Sequence, residues 1–219
     1  MNRDSPTHGA VKMPTVIPVY IDCCAWNYLF DRKLDLLIEL PASEFSLHIT
    51  REVQIEIAAI PEIGIDGSEK RPLIDYIRKS LDRAAVFRTG TFGFRTCNAD
   101  GTPSAVQLYD GFNHGKLHRG GFQSNEQRAY YASAAVRGHL TGPARQRTGL
   151  GRNRADASLA VHAEHAFILT AELPTTSGPI RDAAVAGKGV VYLQSQVEFS
   201  GLTIGGYIRS KYLSREGAI

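Results

Sequence analysis

The chain has 219 residues, which suits one domain, or one domain with a large insertion, and is long enough for a sizeable hydrophobic core. A hydrophobic fraction of 43% and a net charge of +3 are those of an ordinary soluble globular protein, and no apolar run approaches the roughly 20 residues needed to span a membrane. The three cysteines, of which Cys23 and Cys24 are adjacent, form no disulfide framework and favour a reducing compartment, which we take to be the cytoplasm.

Short apolar runs alternate with helical patterns in the first part of the chain. Residues 1–14 are polar and lack the apolar core of a signal peptide, so we expect a disordered leader. The predicted strands, which are rich in β-branched or aromatic residues, are Val16–Ile21, Phe45–Ile49 and Ala85–Phe87. The predicted helices are Cys23–Phe30, Leu34–Leu40, a helix capped by Thr50 that runs to Ile60, and one from about Pro72 to Leu81.

The next part of the chain begins with a stretch that has no clear period. Glycines and prolines punctuate residues 89–121, and we predict a Gly/Arg-rich insertion over about 89–151. The remaining predicted elements are helices Ser124–His139, Ala155–His165 and Ile180–Ala186, and strands Phe167–Thr170 and Val190–Leu193. Residues 15–199 are then one domain, and residues 200–219 are a C-terminal helical tail. Because strands alternate with helices, the predicted fold class is α/β, with a central, mainly parallel sheet covered on both faces.

Four carboxylates stand where strands end or on the helices that follow them. Asp22 and Glu172 each follow a predicted strand, Asp156 opens a helix, and Glu56 lies within one. Acids in this alternating pattern converge at one edge of a parallel sheet, where open α/β folds place their sites. Converging carboxylates repel one another unless a hard cation is bound between them. The pattern therefore points to metal-dependent chemistry on a phosphate.

Each of these acids also has a purely structural interpretation. Asp22 and Asp156 are both suitable N-caps for the helices that follow them. Glu56 lies beside an apolar helical stripe, and Glu52, one turn earlier, is its rival for the site on that helix. Either glutamate is also compatible with a solvated surface position, and Glu172 suits a surface turn.

Basic residues accumulate between Gly111 and Ala155, where Glu126 is the one acidic residue. Arginines interleaved with Phe122, Tyr130 and Tyr131 suit contacts with phosphates and stacking on bases. A solvated helix face followed by a polar loop is the alternative. The residues that we predict to bind nucleic acid are Arg128, Arg145, Arg147, Arg152 and Arg154.

Five segments, taken in order, resemble the PIN-domain family of metal-dependent nucleases. Val19–Asp31 is similar to the family's first strand, acidic tip and following helix, and Ser46–Pro61 to the second motif, whose helical glutamate faces the site. Asn153–Ala160 resembles the third motif and Ile168–Glu172 the fourth, while Gln196–Phe199 is similar to the closing segment. The resemblance covers the predicted domain apart from its insertion.

This resemblance implies a PIN-like three-layer α/β/α sandwich and a metal-dependent endoribonuclease that uses Mg²⁺ or Mn²⁺. Asp22 and Asp156 are then expected to be the main metal ligands. Glu172 would complete the metal site, and Glu56 or Glu172 would orient the attacking water. Such an ion polarises the phosphoryl oxygen and lowers the pKa of a bound water.

Some residues near the four acids carry further expectations. Asn27 and Thr170 are predicted to support the ligands from behind, although both also suit structural roles. Two positions depart from the family's pattern. Cys24 stands where a small hydroxyl or amide side chain is usual, and we interpret it and Cys23 as small buried fillers. Glu172 stands where aspartate is usual, so its extra methylene changes its reach to a metal.

The expected substrate is RNA, either single-stranded or structured, and a homodimer is the expected assembly. Many members of the family are toxins of toxin–antitoxin pairs, so an antitoxin protein is a possible partner by resemblance. Two other functions fit the same residues. One is a PIN-like module that binds RNA without cleaving it, and the departures at Cys24 and Glu172 favour this reading. The other is a phosphohydrolase that acts on a small molecule.

Overall fold

Alternating strands and helices form the protein, and the computed structural model describes residues 16–92, 112–113, 116–117, 119–122 and 125–216. The strands are β1 (Ile17–Ile21), β2 (Phe45–Thr50), β3 (Phe87–Phe92), β4 (Phe112–Asn113), β5 (Lys116–Leu117), β6 (Arg119–Phe122), β7 (Phe167–Thr170) and β8 (Val190–Tyr192). The helices are α1 (Cys23–Asp31), α2 (Leu36–Glu39), α3 (Arg51–Ala58), α4 (Arg71–Arg83), α5 (Asn125–Ala132), α6 (Ala134–Leu140), α7 (Arg154–Ala160), α8 (Pro179–Val185), α9 (Glu198–Ser200) and α10 (Ile204–Glu216). A π-helical turn, Leu193–Val197, links β8 to α9.

Six of the strands form one sheet in the order β6-β3-β2-β1-β7-β8, and every neighbouring pair in it is parallel. Strand β1 lies at the centre, paired with β2 on one side and with β7 on the other. The chain builds outward from β1 through β2 and β3, then returns to add β7 and β8 on the opposite side. The topological switch point therefore lies between β1 and β7, and ligand crevices of open α/β sheets form beyond the strand ends at this point.

The core lies along the central strands and the helices packed on them. Val19, Ile21 and Leu169 are fully buried in β1 and β7, as expected for parallel strands covered on both faces. Helix α1 contributes Trp26 and Leu29, both fully buried, because its apolar residues recur at helical spacing. Helices flank the all-parallel sheet, so the predicted α/β class is confirmed and the arrangement is consistent with a three-layer sandwich.

Part of the predicted insertion belongs to the sheet. Strand β3 begins at Phe87 rather than at Ala85 and continues to Phe92, and β6 pairs with it in parallel as an edge strand. Both strands contain glycine, which has low β-propensity and no side chain to show a period of two, so the sequence pattern hides them. The leader and most of residues 93–124 lie outside the described residues.

Several helices end earlier than their sequence patterns predict. Helix α3 ends at Ala58 rather than Ile60, and α7 ends at Ala160 rather than His165. The predicted helix 124–139 is divided at Ser133, whose Oγ accepts a hydrogen bond from the Val136 amide at 3.3 Å. A serine in this capping position starts a new helix because its side chain competes with the backbone for the free amides.

The predicted C-terminal tail contains a helix, α10, that packs on the domain. Ile204 and Ile208 of α10 are buried in the core. The Ile204 amide donates to Glu39 Oε2 at 2.8 Å, and Gly205 lies so close to α2 that an added Cβ would stand 2.4 Å from the Glu39 carbonyl oxygen. Helix α10 has 13 residues, and in the described part of the chain no helix combines the length and apolarity needed to cross a membrane.

Candidate functional site

Asp22 lies where β1 ends and α1 begins, at the switch point of the sheet. Its amide donates to the Leu169 carbonyl of β7 at 3.0 Å, which extends the pairing of the two strands by one residue. Its Oδ1 accepts a hydrogen bond from the Cys23 amide at 2.6 Å and so caps α1. Its Oδ2 accepts hydrogen bonds from Cys24 Sγ and Thr170 Oγ1, both at 2.8 Å. The capping interpretation is confirmed, and the second oxygen belongs to a network that crosses the switch point.

Cys24 and Thr170 join the ends of β1 and β7. The Ala171 amide donates to Cys24 Sγ at 3.2 Å, and the Glu172 amide donates to Thr170 Oγ1 at 3.1 Å. The expectation that Cys24 is only a small buried filler is therefore wrong, because its thiol contacts a site carboxylate directly. Its position in the first turn of a helix that Asp22 caps is the sequence signal that identifies it.

Asp156 lies in the first turn of α7 but does not cap that helix. The N-cap residue is Asn153, which has a left-handed backbone with φ of 53°, and its side chain donates to the His139 carbonyl at 3.3 Å instead. Gly178, at the start of α8, lies against the aspartate, since a Cβ added there would be 3.8 Å from Asp156 Oδ2. The alternative in which Asp156 serves as a cap is therefore wrong, and its half-buried carboxylate is left for other contacts.

A buried hydroxyl pair fixes α3 against α7 and thereby positions the two helical acids. The Val53 amide donates to Thr50 Oγ1 at 3.3 Å, so the predicted N-cap of α3 is confirmed. Thr50 Oγ1 and Ser158 Oγ are 2.7 Å apart, and Ser158 Oγ donates to the Ala155 carbonyl at 2.7 Å. Thr50 is therefore the donor to Ser158, and the three bonds tie the first turn of α3 to the first turn of α7.

The four predicted acids come together electrostatically at this edge of the sheet. Burial raises the pKa of Asp22, against the opposing effect of its hydrogen bonds from Cys24, Thr170 and Cys23. Burial, followed by the charge of Asp22, raises the pKa of Asp156 to about 6 and that of Glu56 to about 7. Burial and the charges of Asp156, Asp22 and Glu56 raise the pKa of Glu172 to about 7. The acids therefore repel one another, as the sequence pattern predicts.

Glu56, rather than its rival Glu52, is the acid of α3 that belongs to this group. Arg145 Nη1 donates to Glu56 Oε1 at 3.0 Å. The Glu56 side chain is 16% exposed and the Arg145 side chain is 57% exposed. Arg145 thus contacts the carboxylate site itself. The sequence predicts that Arg145 binds nucleic acid. It does not predict the ion pair with Glu56, which is 89 residues away along the chain.

The donor set fits a hard divalent cation by its chemistry. Asp22, Asp156 and Glu172, the predicted metal ligands, offer carboxylate oxygens of the kind that Mg²⁺ and Mn²⁺ prefer. Among the described residues, however, no three His, Cys, Asp or Glu side chains already stand at mutual distances suited to one ion. Mg²⁺ commonly uses one or two carboxylates and keeps several waters, so a fully assembled protein cage is not required.

The other predicted residues lie around this group. Asn27 is exposed on α1 and its side chain makes no hydrogen bond with the described part of the chain, so its supporting role stays a prediction. Tyr130 packs against the core and edge-on against Tyr131, which leaves less of its ring free for a base than the sequence pattern suggests. The predicted nucleic-acid residues, Arg128, Arg145, Arg147, Arg152 and Arg154, are all exposed.

The site therefore combines a buried aspartate at the switch point, three further acids with raised pKa values and one arginine. Comparison of the chain with protein-family models, with curated proteins and with solved structures finds no match.

Proposed function

We propose that this protein is a metal-dependent endoribonuclease with a PIN-like α/β/α sandwich fold. The observation that carries the proposal is the group of four mutually repelling acids beyond the ends of β1 and β7, at the switch point of a parallel sheet. Such a concentration of like charge raises the free energy of the folded state unless a cation or protons offset it. In a hydrolase that binds Mg²⁺ or Mn²⁺, the cation would offset this repulsion and the acids would serve as its ligands.

In this proposal each acid has a role set by its place in the fold. Asp22 and Asp156 hold the cation, Asp22 from a fixed network of donors and Asp156 from the first turn of α7. The cation supplies Lewis acidity toward a phosphoryl oxygen. The Glu172 amide donates a hydrogen bond to Thr170 Oγ1, which fixes the main chain of Glu172. In the proposal Glu172 completes the metal site. Glu56 or Glu172, whose pKa values burial and the neighbouring carboxylates raise in the metal-free protein, would orient the attacking water.

The exposed arginines of α5 and of the segment before and within α7 supply phosphate contacts in the proposal. Arg128, Arg147, Arg152 and Arg154 are exposed residues. They suit the backbone of single-stranded or structured RNA, whose binding is dominated by phosphate neutralisation. We place the activity in the cytoplasm as a homodimer, and a toxin role with an antitoxin partner remains part of the proposal by resemblance alone.

The direct test is cleavage of a mixed single-stranded RNA by the purified protein with Mn²⁺, with Mg²⁺ and with chelator. The matched variant is Asp156→Asn, which keeps the size of the side chain and removes its charge. We expect cleavage with a divalent ion and none with chelator or in the variant. Cleavage that persists in both would overturn the metal mechanism, and neither binding nor cleavage of RNA would favour a small phosphorylated molecule as the substrate.

One observation favours a second function, in which the protein binds RNA but does not cleave it. Glu56 is already paired with Arg145, which occupies the carboxylate that would otherwise act on a water. A site of this kind suits a binding module in which the acids no longer serve catalysis. RNA that is bound but uncut under every ion condition would support it.

A further inference from the structure

The loop between α6 and α7 brings one arginine onto the carboxylate site. Arg145 donates to Glu56 at 3.0 Å, and the guanidinium is the more exposed partner of the pair. The arginine therefore lies on the solvent side of an acid that is mostly buried. An anionic substrate that approaches the acids from solvent meets this cation.

The main chain on both sides of the arginine is fixed independently of the ion pair. The Arg145 amide donates to the Leu150 carbonyl at 2.8 Å, and the Gly149 amide donates to the Arg145 carbonyl at 2.8 Å. Leu150 is buried at 9% exposure and anchors the end of this turn. The loop thus holds Arg145 over the site even when its side chain releases Glu56.

The charge of Arg145 acts on more than its hydrogen-bonded partner. Its guanidinium is 3.0 Å from Glu56, and its positive charge opposes the negative charges of Asp156 and Glu172 as well. It therefore offsets part of the carboxylate repulsion, as a bound divalent cation would. Two positive charges near the same group of acids disfavour each other, so metal binding by Asp22, Asp156 and Glu172 weakens the hold of Glu56 on Arg145, and the reverse.

We propose that Arg145 is a built-in counter-ion of the carboxylate site, which releases Glu56 and contacts a phosphate of the RNA substrate once a divalent cation is bound. This inference rests on the proposed nuclease function and assigns Arg145 to a specific step. A guanidinium suits such an exchange because its planar donor groups fit a carboxylate and a phosphate equally well. The exposed side chain has the freedom to move, while the fixed turn keeps its base in place.

The test compares the Mn²⁺ affinity of the full chain and of Arg145→Ala by isothermal titration calorimetry. Removing the competing cation should tighten Mn²⁺ binding about two- to fivefold, the range that a partly exposed ion pair allows. The control is Arg137→Ala, which removes the same charge from an exposed position on α6. That variant should bind Mn²⁺ like the wild type.

A second arm measures binding of a fluorescent single-stranded RNA in the cold, with Ca²⁺ in place of Mn²⁺ to limit cleavage. Arg145→Ala should weaken RNA binding about fivefold or more, because a charge-assisted contact is lost. Arg145→Lys should restore most of the competition with Mn²⁺ but only part of the RNA affinity, since lysine lacks the planar fork. Tighter metal binding together with weaker RNA binding supports the proposal, and a merely structural role would weaken both.

The outcomes separate this inference from the proposed function. A wild-type protein that binds no divalent ion would overturn the metal site and the exchange together. Wild-type binding of Mn²⁺ with equal or weaker binding by Arg145→Ala would overturn the counter-ion alone. Tighter Mn²⁺ binding with unchanged RNA affinity would overturn the transfer to phosphate.

Discussion

Among single residues, Asp22 uses its two oxygens for different contacts. Oδ1 satisfies the Cys23 amide at the start of α1, while Oδ2 faces Cys24 and Thr170. With 4% exposure, this carboxylate has lost nearly all contact with water, and its three donors offset part of the cost of burying the charge. Its raised pKa indicates that the offset is incomplete.

Asp22→Asn should abolish RNA cleavage and leave the fold intact. The amide oxygen still accepts from Cys23, whereas the amide nitrogen donates to Cys24 Sγ or Thr170 Oγ1 instead of accepting from them, so the charge is lost and these contacts change direction. We expect cleavage to fall at least about 100-fold and the melting temperature to stay equal or rise. A large drop in melting temperature would instead make Asp22 chiefly a structural residue.

Cys24 should be replaceable by serine but not by alanine. Serine keeps a donor for Asp22 Oδ2, whereas alanine leaves this oxygen with one fewer hydrogen bond and removes the acceptor of the Ala171 amide. We expect Cys24→Ala to weaken Mn²⁺ binding about tenfold and Cys24→Ser to bind close to wild type, since a hydrogen bond to a charged group contributes about 1.5–3 kcal/mol. Equal metal affinities in both variants, measured by calorimetry, would contradict this role.

The sequence predicts the acids of the site better than it predicts their neighbours. Asp22 follows the apolar strand β1, and Thr170 ends the apolar strand β7 two residues before Glu172. Parallel pairing of these strands brings the two ends together. Arg145 could not be placed in the same way, because its segment has no hydrophobic period and its partner Glu56 is far away in the chain. The sequence does not predict the contact of the Cys24 thiol with Asp22, because cysteine is common as a small buried residue.

At the scale of elements, the joint between α3 and α7 decides where the helical acids lie. Each helix presents its acid within one or two turns of its start, and the Thr50–Ser158 hydrogen bond fixes the two starts against each other. The ends of β1 and β7 supply Asp22 and, after one further residue, Glu172. Four elements thus contribute one acid each, so small shifts between elements change the geometry of the whole group.

The packing of α10 predicts different effects for its two adjacent glycines. Gly205→Ala would place a Cβ 2.4 Å from the backbone oxygen of Glu39, and we expect a loss of about 1–3 kcal/mol in the free energy of unfolding. Gly206→Ala meets the Thr203 side chain at 3.0 Å, and its better helix propensity offsets that contact. Denaturant unfolding of both variants checks this. Equal stability would mean that α10 is a separable tail.

The predicted bounds of an element match the structure where its side chains mark where it begins and ends. Strand β7 occupies the predicted range, Phe167–Thr170, because all four of its residues are apolar or β-branched and buried. Strand β6 was missed because its Arg-Gly-Gly-Phe sequence carries no such pattern, and only its pairing with β3 makes it a strand. Tertiary pairing, which a local window does not contain, decides such cases.

At the scale of the whole molecule, a group of four acids is held in a chain with a net charge of +3. The acids lie at the switch point, while the exposed arginines lie on α5, α7 and the loop that precedes α7. An RNA backbone is attracted by the second set and repelled by the first unless the acids are neutralised. We therefore expect a cation to bind the acids before a phosphate can approach them.

The raised pKa values predict that stability falls as pH rises. Asp156, Glu56 and Glu172 have folded-state pKa values of about 6, 7 and 7, above their ordinary values, so the folded state binds more protons than the unfolded state between about pH 4 and pH 7. Stability should therefore decline across that window and level off above it. Thermal melting against pH checks the decline, and saturating Mn²⁺ at pH 8 should raise the melting temperature.

Glu172→Gln tests the carboxylate repulsion at a single residue. At pH 8 it should raise stability by about 1 kcal/mol, a value discounted for its partial exposure, or about 2–4 °C in melting temperature. Glu164→Gln is the control, since Lys188 lowers the pKa of Glu164 and the loss of that ion pair gives no gain. A lower melting temperature for Glu172→Gln would contradict the repulsion.

The exposed arginines predict the salt dependence of RNA binding. Replacing Arg152 and Arg154 by alanine should weaken binding across RNA sequences and reduce the slope of log affinity against log salt by about 1.4 for single-stranded RNA, if each contacts one phosphate. Fluorescence anisotropy at several salt concentrations measures this slope. An unchanged slope would remove this surface from the interface.

The most direct measurement of the central claim is anomalous X-ray diffraction from crystals of the protein soaked in Mn²⁺. We expect an anomalous peak bounded by the carboxylates of Asp22, Asp156 and Glu172, with Arg145 turned away from Glu56. If no anomalous peak appears at the switch point in saturating Mn²⁺, and Arg145 remains paired with Glu56, the proposed metal site is contradicted.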